Sequence, residues 1–241
     1  MFAEPLYIRH AAAADRGAWS VQRDVRWQDI DREKAYARPA ILQALRDATL
    51  IESYHAVHLA GLLASTRDDI DAGVAFSLEL YEGFKHFHAL RLYLEAIGYE
   101  PRITDEELVG IRQQPDEPTA DTVIERLVDF MLSEHLAAYF FRRLGEQAAD
   151  PVLAELLELI AADEVRHAQS ASDLIAKRIA ADRSLVTRVL DAAVNFRHYG
   201  ERAVGTVPVA QPGDPLAIRT FARRIERLCG VRLVDHLKAR I

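Results

Sequence analysis

Apolar residues recur at the spacing of an α-helix along most of this chain. In one segment Leu127, Phe130 and Phe141 fall on a single helical face, and in the next Leu156 and Ile160 do. Such stripes are typical of helices that bury one face against a core. Alternating runs of β-branched residues bounded by turns, which would indicate strands, are not found. The pattern therefore predicts an all-α protein.

Prolines and capping residues set the predicted helix boundaries. The long stretches between prolines are rich in Ala, Leu, Glu and Arg, which favour helices, whereas proline disfavours a helix interior. Polar residues over 65–71 include N-cap types and interrupt the apolar pattern, so the first stretch should contain two helices. Four long helices are predicted, over about 38–64, 69–98, 120–149 and 151–181. Two more are predicted over 184–200 and 214–239 with a turn at 205–215, while residues 1–33 should be irregular and 34–241 should form one domain.

Composition and charge narrow the class of protein. The chain has 241 residues, 50% of them hydrophobic, which is enough for one domain with a sizeable core. Its formal net charge of -7 repels a polyanion, so we expect no nucleic-acid partner. The sequence has neither a signal-peptide pattern nor a long uncharged apolar run, so we expect no membrane insertion and a cytoplasmic location. Because Cys229 is the only cysteine, any metal ion must be held by carboxylates and imidazoles.

The sharpest chemical signal is the pentapeptide DEVRH at 163–167, within the fourth predicted helix. Glu164 and His167 are three residues apart, so both project from the face that carries the apolar stripe. A buried carboxylate is costly unless it is paired or binds a metal ion. Glu-x-x-His is the inward-facing pair with which helical bundles bind two irons. The segment therefore predicts a metal site inside the bundle.

Residues of the other predicted helices repeat this arrangement. Glu134 interrupts an apolar face and precedes Glu164 by 30 residues, and Glu52 precedes His86 by 34 residues. These separations match the path from the middle of one long helix, around a short loop, to the middle of its antiparallel neighbour. The sequence thus predicts a pseudo-twofold site, in which each helix pair supplies one lone glutamate and one histidine-bearing motif.

These motifs resemble those of the ferritin-like diiron oxidases, and most closely those of the acyl-carrier-protein desaturases. The segment KHFHALRLYL at 85–94 is similar to the sequence that follows the first Glu-x-x-His of that family, and residues 163–167 match the second. The resemblance covers about residues 40–200. It implies a ferritin-like four-helix bundle, here with additional C-terminal helices.

The resemblance also implies a role for each residue of the predicted site. Glu52 and His86 would ligate one iron, Glu134 and His167 the other, and Glu164 would bridge the two. No further catalytic residue is predicted beyond these ligands.

One position departs from the family pattern, since Gly83 stands where the family has a bridging glutamate. Glycine within a helix costs about 1 kcal/mol relative to alanine, so helix stability does not explain it. Glu82, or in its place Glu79, could replace the missing bridge, with a π-bulge restoring the alignment. Alternatively, the site has one bridge and an additional open coordination position, or it binds one metal ion weakly. We adopt the first alternative and predict Glu82 as a metal ligand.

Three residues near the predicted ligands could support a ligand or act as one in a different register. The resemblance implies that Asp163 accepts a hydrogen bond from a ligand imidazole and fixes its tautomer. Glu82 could be the counterpart of Asp163 instead of a ligand. His55 forms a second Glu-x-x-His with Glu52 and could ligate in a different register, although a hydrogen-bonded core histidine is the plainer interpretation.

The ligand types and the resemblance together predict a non-heme diiron oxidoreductase. Carboxylates with one imidazole per metal favour two iron ions, or manganese in place of one iron, over copper or structural zinc. Because the chain has no flavin or dinucleotide motif, electrons would come from an external ferredoxin or reductase. The expected reaction is an O2-dependent desaturation, hydroxylation or related oxidation. Its substrate would be an acyl-like, carrier-bound or other small biosynthetic molecule. The resemblance also implies that the protein is a homodimer. The alternatives are a ferritin-like metal-binding or iron-storage protein, and a scaffold that has lost one metal.

Overall fold

The computed structural model describes residues 4–114, 123–209 and 215–239, which are mostly helical and contain no strand. A single 3-10 turn lies at Trp27–Asp29. The α-helices of the described residues are α1 Leu6–Gly17, α2 Arg32–Tyr36, α3 Pro39–Ser65, α4 Ile70–Ile97, α5 Asp105–Arg112, α6 Val123–Gln147, α7 Pro151–Ala181, α8 Leu185–Val194, α9 Glu201–Val204, α10 Pro215–Cys229 and α11 Leu233–Lys238.

Helices α3, α4, α6 and α7 are the four predicted long helices. Their ends differ from the predicted ones by at most two residues, except that residues 120–122 lie outside the described part. The local causes are those expected from the sequence. The Asp69 side chain caps α4 by accepting from backbone N–H groups of its first turn, and Gly98 ends that helix in the left-handed conformation, with φ of 74°. Asp150 caps α7 in the same way, directly before Pro151.

The four long helices pack as two antiparallel pairs. Short connections join α3 to α4 and α6 to α7, and the members of each pair lie side by side. Their facing sides supply most of the core, in which Leu45, Phe76, Leu127 and Leu157 are completely buried. The predicted all-α bundle is therefore confirmed. No described helix is long and apolar enough to span a bilayer.

The prediction of an irregular N-terminal segment over 1–33 is wrong for α1. Its run of alanines over 11–14 favours a helix, and tertiary contacts fix it against α4 and α7. His10 of α1 is buried, and its Nε2 lies 3.4 Å from Asp173 Oδ2. The Tyr7 backbone N–H donates to Asp71 Oδ1 over 2.9 Å. The N-terminal segment is therefore part of the packed structure.

The connection after α4 and the C-terminal region also differ from the prediction. Helix α5, which Thr104 caps, was not predicted. The segment predicted as one helix over 184–200 ends at Val194, and its final residues precede the short helix α9. The segment predicted over 214–239 is interrupted by Gly230, whose φ of 69° is incompatible with a continuing right-handed helix. Residues 210–214 of the predicted turn lie outside the described part.

A buried hydrogen bond ties α4 to the start of α7. Tyr93 is fully buried, and its hydroxyl donates to Asp150 Oδ2 over 2.7 Å. The same carboxylate accepts weaker bonds from the backbone N–H groups of Leu153 and Asp31. Burial and the adjacent Asp150 raise the pKa of Tyr93, so its hydroxyl is a donor throughout the ordinary pH range. The contact helps to fix the position of α7 along α4.

We expect Tyr93→Phe to lower the free energy of unfolding by about 1.5–3 kcal/mol, because it removes the strongest donor from a buried carboxylate. Urea unfolding followed by circular dichroism measures the change. The control is Tyr36→Phe, which removes an exposed hydroxyl that donates to the Gly98 carbonyl over 3.1 Å. This control should change stability by less than about 0.5 kcal/mol. Equal losses for both variants would contradict the proposed role of Tyr93.

Candidate metal centre

Five of the residues predicted as metal ligands meet inside the bundle. Glu52 comes from α3, His86 from α4, Glu134 from α6, and Glu164 and His167 from α7. None of them is more than 4% exposed. Acidic side chains are rarely buried so completely unless a partner offsets the loss of hydration.

Glu52, His86 and Glu164 form the first of two triads. One nitrogen or oxygen atom of each lies within 4.8 Å of the others. The Nδ1 atom of His86 is 3.6 Å from Glu52 Oε2 and 2.9 Å from Glu164 Oε1. These atoms come from three different helices, so the fold, and not local sequence, brings them together.

Glu134, Glu164 and His167 form the second triad, with ligand atoms again within 4.8 Å of one another. The Nδ1 atom of His167 is 3.5 Å from Glu134 Oε2 and 2.8 Å from Glu164 Oε2. Glu164 therefore turns one oxygen toward each triad. This is the arrangement that a carboxylate needs in order to bridge two cations.

Buried atoms of the first triad that lack a hydrogen bond show that its residues suit a cation. Glu52 Oε2, His86 Nδ1 and Glu164 Oε1 are buried, and within the described residues none of them makes a hydrogen bond of acceptable geometry. Buried polar atoms normally have a hydrogen-bond partner, so three such atoms facing one another need another explanation. A metal ion would bind all three. Carboxylate and imidazole ligands in this ratio suit iron or manganese.

The charges inside the cluster are strongly coupled. Burial raises the pKa of Glu52 and Glu134. Burial alone would lower the pKa of the two imidazoles, but the nearby carboxylates, Glu164 foremost, raise the pKa of His86 and His167 well above the ordinary value. Although burial opposes it, the adjacent His167 imidazole contributes most to holding the pKa of Glu164 at about 2. Metal binding would therefore replace protons on these groups.

Asp163 supports His86 from outside the first triad. Its Oδ2 atom lies 3.0 Å from His86 Nε2, on the side of the ring that faces away from the triad. The same oxygen accepts from Trp19 Nε1 over 2.8 Å and lies 2.9 Å from Lys85 Nζ. Asp163 thus lies where the resemblance places it, as the acceptor that fixes the imidazole. Trp19 was not predicted as part of the site, because it lies in the segment that was expected to be irregular.

Glu82 is the counterpart of Asp163, and its prediction as a bridging ligand is contradicted by the geometry. Its Oε2 atom lies 2.8 Å from His167 Nε2, the ring nitrogen that faces away from the second triad. Its Oε1 atom accepts from Arg166 over 2.7 Å, which holds the carboxylate away from both triads. Helix α4 remains α-helical through this region, so the π-bulge that would have turned Glu82 inward is absent.

Gly83 leaves room for the imidazole of His55. A Cβ atom at position 83 would lie 3.3 Å from two ring atoms of His55, closer than an ordinary van der Waals contact. His55 is 1% exposed. The ring therefore packs against the backbone where the family's bridging glutamate would begin. The glycine that departs from the family pattern has a steric reason.

Tyr199 joins His55 to the second triad, and sequence analysis did not identify it. Its hydroxyl donates to Glu134 Oε1 over 3.1 Å and lies 3.0 Å from His55 Nδ1. Its ring stacks on that of His58, with centroids 4.6 Å apart. Burial raises the pKa of Tyr199 well above its ordinary value, so the hydroxyl keeps its proton. This tyrosine comes from the irregular segment between α8 and α9, where helical spacing gives no signal.

Glu79 is a further buried carboxyl group, one helical turn before Gly83. It is 2% exposed, and neither of its oxygens has a hydrogen-bond partner among the described residues. Burial raises its pKa well above the ordinary value; the nearby His167 opposes this effect, while Glu134 and Glu82 add to it. Glu79 therefore keeps its proton to higher pH than an exposed carboxyl group does, and it belongs to neither triad.

A cavity of about 540 Å³ reaches the cluster. Glu52 and Tyr199 are part of its wall, and exposed Glu201 also lines it. The remainder of the wall is mostly apolar and aromatic, with contributions from Ala48, Ile51, Ala137, Tyr139, Phe140, Phe141 and Phe196. A second cleft, of about 650 Å³, lies elsewhere, where the salt bridges of Lys177 with Asp69 and Asp71 form part of its wall. Only the first adjoins the triads.

No family model and no curated protein matches the chain. Solved structures match it closely in fold. The R2-like ligand-binding oxidase from Sulfolobus acidocaldarius superposes with a TM-score of 0.66 at 15% identity, covering 98% of this chain and 95% of that one.

Two further R2-like ligand-binding oxidase structures match along nearly the whole chain. A variant with an aerobically reconstituted Fe/Fe cofactor has a TM-score of 0.62 at 14% identity, and covers 95% of this chain and 93% of that one. A variant with an anaerobically reconstituted Mn/Fe cofactor has a TM-score of 0.60 at 16% identity, with the same coverage. The chain therefore has the fold of these oxidases, a ferritin-like helical bundle.

Proposed function

We propose that this chain is an O2-dependent non-heme diiron oxidase. Two iron ions, or one manganese and one iron, would be held by Glu52, His86, Glu134, Glu164 and His167. The observation that carries the proposal is the shared carboxylate of Glu164, which turns one oxygen to each of two buried triads. The Fe/Fe and Mn/Fe cofactors of structures with the same fold support it.

Hydrogen bonds to neighbouring acids hold the two ligand imidazoles in their orientation in the absence of a metal ion. Asp163 and Glu82 accept from the Nε2–H groups of His86 and His167, which leaves each Nδ1 lone pair for an ion. Glu164 is ionised and can serve both ions. When bound, the two ions would supply electrons to dioxygen and open positions at which it is reduced. Because reduction of dioxygen consumes protons, a protonated Glu79 would be a local supply.

The cavity beside the cluster is the proposed substrate site. Its apolar and aromatic wall suits an elongated acyl-like group, and its contact with Glu52 would place that group next to the centre. Desaturation and hydroxylation are both compatible with this arrangement. A carrier-bound substrate, an external electron donor such as a ferredoxin or reductase, and a homodimer are further parts of the proposal.

Metal binding tests the function directly. We expect anaerobic Fe(II) titration to give two ions per chain, followed by oxygen consumption on exposure to air. In His167→Ala the second triad loses its imidazole, so we expect one ion or fewer and at least about a hundredfold less oxygen consumption, with helicity retained. The control is His10→Gln, at a buried histidine outside both triads. Unchanged oxygen consumption in His167→Ala would overturn the proposal, and iron uptake that continues beyond two ions would indicate storage.

The substrate site can be tested by filling the cavity. Ala137 lines it, so Ala137→Leu should weaken the binding of long fatty alcohols by about tenfold, or about 1.4 kcal/mol, and affect short ones less. Displacement of a fluorescent alkyl probe by alcohols of increasing length measures this effect. Metal stoichiometry should not change. Ala162→Leu, at an exposed position of α7, is the matched control, and equal behaviour of the two variants would argue against this cavity.

The proton on Glu79 should appear as a pH-dependent stability. Because its pKa is raised on folding, the unfolded chain loses this proton first as the pH rises above about 4.5, which favours unfolding. In the metal-free protein, Glu79→Gln should therefore gain stability relative to the wild type, by up to about 1.4 kcal/mol per pH unit in that range. Urea unfolding at several pH values measures the difference. Glu106→Gln, at an exposed position, is the control, and a difference that does not grow with pH would contradict the assignment.

A further inference from the structure

We infer that Tyr199 is a positioning residue of the metal centre, whose hydroxyl keeps Glu134 a ligand through one oxygen only. The place on the ion that the second oxygen would fill is thereby left open for dioxygen. This inference rests on the proposed function, because it requires a metal ion held by Glu134, Glu164 and His167.

The two carboxylate oxygens of Glu134 face different partners. Its Oε2 atom lies 3.5 Å from His167 Nδ1, the ring nitrogen that faces the second triad. Its Oε1 atom accepts from the Tyr199 hydroxyl over 3.1 Å. Glu134 is 1% exposed, so bulk water does not compete for either oxygen. Because a bond to one oxygen fixes the rotation of the whole carboxylate, Glu134 presents Oε2 to an ion and holds Oε1 aside.

The Tyr199 side chain is itself held by packing. It is buried, and its ring stacks on that of His58 with an angle of 8° between the two planes. The next residue, Gly200, brings the backbone close to α3, because a Cβ atom there would lie 2.9 Å from Ile51 Cγ2. The hydroxyl is therefore fixed by its surroundings before it bonds to Glu134. A donor fixed in this way loses little conformational freedom when it holds the carboxylate.

Loss of the hydroxyl would change how Glu134 binds. Without it, the buried Oε1 atom would lose a donor, and a buried acceptor left without its partner is costly. An ion in the second triad can satisfy that oxygen, since it already attracts the other oxygen of the same carboxylate. Glu134 would then bind through both oxygens and fill a coordination position. A centre that reduces dioxygen needs such a position to stay open.

Azide binding measures the open position, because azide needs a free coordination site and gives a visible absorption band with Fe(III). In the iron-loaded, air-oxidised protein, we expect azide to bind at least about tenfold more weakly to Tyr199→Phe than to the wild type. Tyr199 is part of the cavity wall, and phenylalanine keeps its ring, so the fluorescent alkyl probe should bind both proteins equally.

The matched control is Tyr93→Phe. It also removes a buried hydroxyl that donates to a carboxylate, but that carboxylate belongs to Asp150, outside both triads. We expect wild-type azide affinity in this variant. The comparison separates the effect of Tyr199 on Glu134 from the general effect of losing a buried hydrogen bond.

Infrared spectroscopy provides a second measurement, which reports on the carboxylate itself. The asymmetric and symmetric stretching bands of a carboxylate lie closer together when both oxygens bind one ion. The protein is labelled with 13C-glutamate, and difference spectra are taken between its Mn(II)-loaded and metal-free forms. We expect Tyr199→Phe to show a pair of glutamate bands with a narrower separation than any in the wild type, and Tyr93→Phe to match the wild type.

The outcomes separate this inference from the proposed function. Equal azide affinity in Tyr199→Phe and the wild type would overturn the role of Tyr199 and leave the two-metal centre intact. Weaker azide binding with unchanged carboxylate bands would also overturn it, because the hydroxyl would then act on azide and not on Glu134. A wild-type protein that binds no metal ion in the triads would overturn the proposed function, and the inference with it.

Discussion

The structure depends on the burial of one carboxylate, Glu164, at the middle of a helical bundle. Its side chain is inaccessible to water, and its two oxygens face His86 of α4 and His167 of its own helix α7. A carboxylate in such a place is tolerable only if positive charge surrounds it. In the metal-free protein that charge is supplied by the imidazoles, whose pKa values are raised for this reason. A cation would replace their protons and supply the same positive charge.

The surrounding residues repeat the pseudo-twofold symmetry of the two triads. Asp163 holds the outer nitrogen of His86, and Glu82 holds that of His167. Each acid is itself bound by a cation, because Arg166 lies 2.7 Å from both and Lys85 lies 2.9 Å from Asp163. Arg166 is partly exposed, whereas Lys85 is buried. Each imidazole is therefore fixed by a chain of ion pairs, and the orientation of its Nδ1 atom does not depend on the metal.

Helical spacing in the sequence was sufficient to predict the four long helices and the residues that meet between them. The separations of Glu52 from His86 and of Glu134 from Glu164 placed four helices and five buried ligand candidates correctly together, because a long helix and a short loop leave little freedom. Spacing could not tell whether Glu82 turns toward the ions or away, since this depends on its pairing with Arg166 of another helix. It also missed Trp19 and Tyr199. Both reach the site from segments without helical periodicity, and only the tertiary packing of those segments brings them there.

The symmetry of the two halves breaks at Gly83, and a comparison within α4 shows why. Gly73 and Gly83 both lie in this helix, where glycine costs about 1 kcal/mol relative to alanine. No atom occupies the space beside Gly73, whereas the His55 ring fills the space beside Gly83. A Cβ atom would therefore meet no neighbour at the first position, whereas at the second the His55 ring would have to shift by a few tenths of an ångström. Tyr199 links that imidazole to Glu134, so the ring beside Gly83 is connected to the second triad. The surroundings of the two triads therefore differ, although each triad contains one histidine and both share Glu164.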